Sequence, residues 1–257
     1  MEPKKCKHTY TITFGECAEN HVGMQQLGKA GAAGLELADL VGAMKKFEAA
    51  GYACELVDLG ELSSEPGLPA AYVLIVRGGV SGLLGGRPAA ELEAEHGALD
   101  HDKKAFMYGR VVNKKARHNL CFADKGQMPD YEAGEGRVVA FNAVPLTSAI
   151  RATLPDYFGA KATKLYAEGN YYYNVAKCGI GFHGDAERRI VIAARLGAAM
   201  PLHFQWYRAG EPLGKRIKLV LEGGDLYAMS SKAVGSDWRK NTIATLRHAA
   251  GAAKYLQ

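Results

Sequence analysis

The 257-residue sequence has little that would mark a secreted, membrane-embedded or zinc-cluster protein. Its five cysteines, Cys6, Cys17, Cys54, Cys121 and Cys178, are odd in number, widely separated and include no Cys-x-x-Cys pair. That argues against a disulfide framework or a thiolate cluster and fits reduced thiols packed as small hydrophobes. Long apolar runs are missing: Ala70 to Val76 is far below the roughly 20 residues that cross a bilayer. The opening Met1-Glu2-Pro3-Lys4-Lys5-Cys6-Lys7 has no hydrophobic signal core. An intracellular protein of the cytoplasm or nucleus, with no membrane partner, is the expectation. Gly78 to Gly86 is glycine-rich but matches neither Gly-x-x-x-x-Gly-Lys-Ser/Thr nor Gly-x-Gly-x-x-Gly, so it reads as a flexible loop and not a phosphate cradle.

What is present is ordinary globular composition with an uneven charge. The chain is 48% hydrophobic and 23% charged, with a net charge of +5. Residues 1–100 carry 8 Lys+Arg against 14 Asp+Glu, and residues 101–257 carry 24 against 13. The split suggests two regions, the second able to attract a polyanion such as DNA or RNA.

The first region, 1–95, reads as a small α/β unit. His8 to Phe14 alternates like a strand; apolar positions between Gly23 and Ala50 predict one or two amphipathic helices; Ala53 to Leu59 and Ala70 to Val76 predict strands. His21 and Asp39 have no companion spacing and read as structural. Ala89 to Lys104 is charged and helix-prone, and leads into the basic region, 96–257. There Lys114, Lys115, Arg117 and His118 interleave with Asn and Phe, a pattern suited to phosphates and stacked bases, with Tyr108, Arg117 and His118 as candidate substrate contacts. A helix is predicted from Pro145 to Leu154, ending before Pro155. Beyond Tyr166 come short strands at Tyr171–Val175, Ile190–Leu196, Leu202–Tyr207, Arg216–Leu221, Leu226–Met229 and Thr242–His248. Such spacing predicts an α+β chain whose second region is a double-sheet jelly roll with flanking helices.

Chemistry concentrates at Cys178-Gly179-Ile180-Gly181-Phe182-His183-Gly184-Asp185-Ala186-Glu187-Arg188-Arg189. In an extended chain His183 and Asp185 point the same way, close enough to hold one metal ion. An imidazole and a carboxylate are two thirds of the two-histidine, one-carboxylate triad of non-haem Fe(II) sites. After Asp185 the third ligand can come from His203 or His248, and His248 is favoured because a jelly roll would bring a late strand back beside the first.

From about Phe106 onward the chain resembles the AlkB family of Fe(II)- and 2-oxoglutarate-dependent oxygenases. The resemblance rests on Ile180-Gly181-Phe182-His183-Gly184-Asp185-Ala186-Glu187, on Asn170 with Tyr172 or Tyr173 upstream, on the run from Ile190, and on Phe204-Gln205 and Gly224-Asp225-Leu226. It implies a double-stranded β-helix (jelly roll) binding Fe(II) through His183, Asp185 and His248, with 2-oxoglutarate and O2 as cosubstrates. It implies 2-oxoglutarate contacts from Asn170 and Tyr172 or Tyr173, a target base near Glu187, and Phe122 stacked on that base. The implied reaction is oxidation of a C–H bond on an alkylated or modified nucleobase, an N-methyl carbon leaving as formaldehyde. A protein side chain is the alternative substrate, and a binding protein with a degenerate metal site the alternative class. Two departures stand out. Ser231 to Asn241 lengthens the interval before His248, and Lys254 is the sole basic residue among the nine that follow that histidine, where the family carries two arginines. Arg195, Arg247 and Lys254 are therefore the candidate anchors for the cosubstrate.

Overall fold

Strand β1 (Thr9–Gly15) alternates threonine with Tyr10, Ile12 and Phe14, and its two faces meet different environments. The aromatic and aliphatic face is buried against helices; the threonines point into the space between two sheets. The computed structural model describes residues 6–257.

After β1 come a small hairpin of β2 (Cys17–Glu19) and β3 (Gln26–Gly28), helix α1 (Leu37–Ala49), β4 (Cys54–Asp58), α2 (Leu59–Ser63), β5 (Tyr72–Val76), α3 (Gly79–Leu83) and α4 (Ala89–Gly97). The ribbon β6 (Lys104–Met107) and β7 (Arg110–Asn113) is followed by β8 (His118–Ala123), β9 (Val138–Ala140) and α5 (Pro145–Phe158). The remaining strands are β10 (Tyr166–Tyr172), β11 (Gly179–His183), β12 (Val191–Gly197), β13 (Met200–Arg208), β14 (Glu211–Leu221) and β15 (Leu226–Met229). Helix α6 (Ser231–Val234) precedes β16 (Thr245–Gly251).

Eight strands form one sheet in the order β4-β5-β15-β12-β1-β10-β8-β9, antiparallel except where β8 meets β9. Four form a second, antiparallel sheet, β11-β16-β13-β14. The result is a mixed α and β chain dominated by antiparallel sheets, with a core on each side of the larger one. Leu74, Val76, Ile192, Ala194 and Leu196 face α1, α4 and α5; Val73, Ile75, Val191 and Ala193 face Leu202, Phe204, Ile217 and Leu246 of the smaller sheet. Alternate residues of single strands thus serve opposite layers, as the two-residue strand period requires.

Four expectations are corrected. Residues 1–95 are not a separate unit preceding the rest: β1 lies between β12 and β10, and β5 pairs with β15, so a boundary near 95 cuts through one sheet. The helix expected from Gly23 begins at Leu37, because residues 20–36 spend their backbone groups on distant partners, Gln25 N–H on Gly134 O and Gly31 N–H on Glu16. Helix α5 continues through Pro155 to Phe158, and Gly78–Gly86 contains the short α3. Asp39 is structural as read, accepting from Glu36 N–H and pairing with Lys161.

Candidate metal centre

His183 closes β11, and directly opposite it on β16 stands His248. Asp185 follows two residues later, its N–H held by Val234 O at 3.0 Å. A side chain at Gly184 would overlap the carbonyl of Gly235, so glycine is what lets the chain turn there. The three side chains converge: Nε2 of His183 and Nε2 of His248 each lie 3.5 Å from Asp185 Oδ1, and the two rings are 4.5 Å apart. The ligand atoms fall within 4.8 Å of one another. His183 Nδ1 donates to Gly181 O at 2.8 Å, which leaves the Nε2 lone pair facing the cluster, the tautomer a metal requires.

Charge at this cluster is tightly controlled. Burial would raise the Asp185 carboxyl, but the two imidazole rings against it, His183 and His248, and the Arg188 charge hold it well below the usual carboxylate range. Burial, then the neighbouring His183, lowers His248, so it stays neutral at neutral pH. Arg188 is itself buried among carboxylates: Nη2 donates to Glu168 at 2.6 Å and to Glu187 at 2.8 Å, and Nε lies 3.6 Å from Asp185. It positions three acids at once and stays charged, since their combined field outweighs the burial that disfavours the cation.

The cluster opens into a cavity of about 450 Å³ between the sheets. One wall carries a row across three strands, Asn170, Thr11 and Arg195, each the direct cross-strand neighbour of the next, and Asn119 on β8 continues the row beyond the cavity lining. Asn170 Oδ1 accepts from Arg117 Nε at 2.6 Å and from Asn119, and its amide donates to Glu168. Thr11 Oγ1 and Arg195 Nε and Nη1 are buried and have no partner among the described residues. Arg195 is 1% exposed. A buried, unpaired guanidinium beside an unpaired hydroxyl is costly unless an anion completes it. Tyr172 lines the same wall.

Of the residues singled out in the sequence, the cavity gathers His183, Asp185, His248, Glu187, Asn170, Tyr172, Arg117 and Arg195. The others lie elsewhere. Phe122 is fully buried on the opposite face of β8, against His96 and Phe141, because its parity along the strand is that of Leu120 and not of Asn119. Tyr173 points away from Tyr172, bonds Lys115 O and stacks on His118, so neither Tyr173 nor His118 reaches the cavity. Arg247 lies on the face of β16 opposite His248, with its guanidinium 4.0 Å from the centre of the Tyr207 ring. The extended run that would align Lys254 with His248 ends at Gly251, and Lys254 packs over Tyr255. His203 neighbours Phe204, which sits opposite His248, and so lies on the other face of β13, buried and away from the cavity. Tyr108 is at the tip of the β6–β7 ribbon.

Sequence reasoning missed Glu168, Arg188, Thr11, Thr13, Glu19 and His21. Glu168, Asn170 and Tyr172 share one strand face by even spacing, a signal that was available. Glu19 and His21 come from the β2–β3 hairpin, folded over the cavity, so His21 belongs to the site wall and not to the scaffold alone. Burial, reinforced by the charges of Glu187 and Glu168 and partly offset by the Gly23 N–H, pushes the Glu19 carboxyl up to about 7. A carboxyl raised on folding contributes most below its unfolded value, and that contribution is lost as pH rises through about 7. Glu19→Gln is therefore expected to stabilise the protein at pH 8 by ~1–2 kcal/mol, discounted for partial exposure, with the gain gone below pH ~4.5. Urea midpoints at both pH values measure it; an equal effect at both would place the gain outside ionisation.

No protein-family model matches the sequence. Over 255 residues it is 48% identical to "Uncharacterized protein R156" of Acanthamoeba polyphaga mimivirus, an alignment covering 98% of each chain. At that identity over nearly the whole length, the chain belongs to the same family as the mimivirus protein.

Proposed function

We propose that this chain is an Fe(II)- and 2-oxoglutarate-dependent dioxygenase of jelly-roll architecture, oxidising a C–H bond on an alkylated or modified nucleobase. The observation that carries the reading is the convergence of His183, Asp185 and His248 on one point of a cavity whose wall holds the unpaired Arg195. Two imidazole nitrogens and one carboxylate form the donor set suited to Fe(II) with positions left open. Connectivity supports the architecture. From β10 to β16 the chain passes between the sheets in the order large, small, large, small, small, large, small, and β1 fills the slot between β10 and β12.

When bound, Fe(II) with O2 and 2-oxoglutarate supplies the oxidant, and the cosubstrate leaves as succinate and CO2. The protein's part is positional. Arg195 and Thr11 receive a carboxylate at the dry end of the cavity, a charge-assisted contact worth about 1.5–3 kcal/mol. Arg188 fixes Asp185 and Glu187 so that one carboxylate serves the metal and the other faces substrate. Asn170, held by Arg117, Asn119 and Glu168, is locked in one amide orientation.

Anaerobic calorimetry tests the reading. Native protein is expected to bind Mn(II), then 2-oxoglutarate. Arg195→Met should leave metal affinity unchanged and weaken 2-oxoglutarate about 10- to 100-fold. No metal binding by native protein would sink the assignment; an Arg195→Met variant with native cosubstrate affinity would reject the anchor alone.

A further inference from the structure

Among the described residues the ribbon of β6 and β7 pairs with no other strand, and its two strands form a separate two-stranded sheet. Between Lys103 and Arg117 the sequence contains six cations and no acid. Two of the six are committed: Lys114 to Asn20 and Asn119, and Arg117 to Asn170. These contacts root the ribbon in the body of the protein. The other four, Lys103, Lys104, Arg110 and Lys115, are exposed and have no ion-pair partner among the described residues. Lys104, Arg110 and Lys115 line an open groove at the ribbon together with Val111, Val112 and Asn113.

The tip adds a second observation. Tyr108 is 89% exposed and sits in the left-handed region at φ 54°, followed by Gly109 at φ 73°. Turns of this kind favour asparagine or glycine at that position, and a bulky ring there is a poor choice for stability. Its ring lies free for a planar partner. At the other end of the ribbon, Arg117 is both the last of the cations and a lining residue of the metal-centre cavity. Arg117 thus joins the root of the ribbon to the wall of that cavity.

We propose that the β6–β7 ribbon is a docking platform for single-stranded nucleic acid, with Lys103, Lys104, Arg110 and Lys115 on its phosphates and Tyr108 stacked on an unpaired base. Unpaired cations beside one free aromatic ring match a phosphate backbone with exposed bases; a duplex keeps its bases stacked on one another. Docking itself does not depend on the oxygenase reading. That the docked strand is the substrate rests on it.

The test is fluorescence anisotropy on the full-length, metal-free protein. The probes are a labelled oligothymidylate of about 12 nucleotides, a size that one such platform covers, the same strand in a duplex, and vesicles of phosphatidylcholine with phosphatidylserine. Native protein is expected to bind the single strand with log affinity falling against log salt at a slope of about −2.8, roughly 0.7 for each of four phosphates. Lys104→Ala with Arg110→Ala should reduce that slope by about 1.4, and Tyr108→Asn, which suits the turn, should weaken binding about tenfold without changing the slope. Melting temperatures at or above native confirm that the variants fold. The proposal is overturned if the native protein does not bind, if the slope survives the double substitution, or if duplex or vesicles bind as tightly as the single strand. Mn(II) binding measured in parallel separates the two questions: it should be unchanged in every ribbon variant, and its absence from native protein would remove the oxygenase while leaving the docking result intact.

Discussion

A chain lacking residues 1–16 is expected to show no cooperative unfolding transition and no metal binding. These residues contain all of β1, which pairs along its length with β10 on one side and β12 on the other. Its loss splits the eight-stranded sheet in the middle and leaves two strands with open edges. Tyr10, Ile12 and Phe14 are 5%, 0% and 0% exposed, and burying three such side chains contributes roughly 5–9 kcal/mol. A domain's net stability is only about 5–15 kcal/mol, so losing a contribution of this size is enough to abolish a stable fold. Thermal melts followed by circular dichroism measure the outcome, and a synthetic peptide spanning residues 6–16 should restore part of the transition when added in trans. A shortened chain that melts cooperatively and binds metal would show β1 to be an accessory strand.

The placement of β1 also explains which parts of the molecule were legible in the sequence. Local patterns were readable: the alternation of Thr9 to Phe14, the apolar run at Tyr72 to Val76, the short strand Leu226 to Met229 and the His183-x-Asp185 pair all have a period that declares the element. His248 was readable because a strand late in the chain has to return somewhere, and this one returns with its histidine opposite His183 and beside Asp185. What could not be read was which strands are neighbours. Nothing between Thr9 and Gly15 announces a partner at Val191 to Gly197, more than 170 residues away, so the first 95 residues looked like a unit of their own. The same limit hid the polar row. Thr11 is unremarkable until Asn170 and Arg195 stand on either side of it.

Errors of parity had a different origin. Phe122 and Asn119 differ by an odd number of residues, and on a strand that puts them on opposite faces; the pattern of types suggested a base-stacking aromatic, but the face belongs to the core. Lys254 failed for the converse reason. Even spacing aligned it with His248 only if the strand continued, and Gly251 at φ 109° ends it. The interval Ser231 to Asn241 was read as an insertion. In the structure it carries α6 and Trp238, which packs where Gly184 and Gly235 approach, so the extra length supports the turn that presents Asp185.

On the proposed oxygenase reading, replacing Asp185 by asparagine is expected to weaken Mn(II) binding by more than about 100-fold and to abolish turnover of 2-oxoglutarate. Asparagine keeps the size of the side chain but removes the one anionic donor of the His183, Asp185 and His248 cluster, and even changes to groups behind a metal's ligands cost about 10- to 100-fold. The substitution also has a signature in the metal-free protein. Asp185 is held well below the usual carboxylate range, so its contribution to stability is present above the unfolded carboxylate value of ~4 and is lost only as pH falls through its depressed folded value. Asp185→Asn should therefore lower the urea midpoint at pH 7, where the charged form pairs with Arg188 and the two histidines, and the difference from native should shrink as pH falls below ~4. Glu168 and Glu187 still pair with Arg188 in the variant, which keeps that guanidinium buried and compensated. Anaerobic calorimetry and urea titrations at several pH values provide both measurements. A variant with native metal affinity would remove Asp185 from the ligand set, and a midpoint difference that persists unchanged to low pH would show that its effect arises from packing and not from charge.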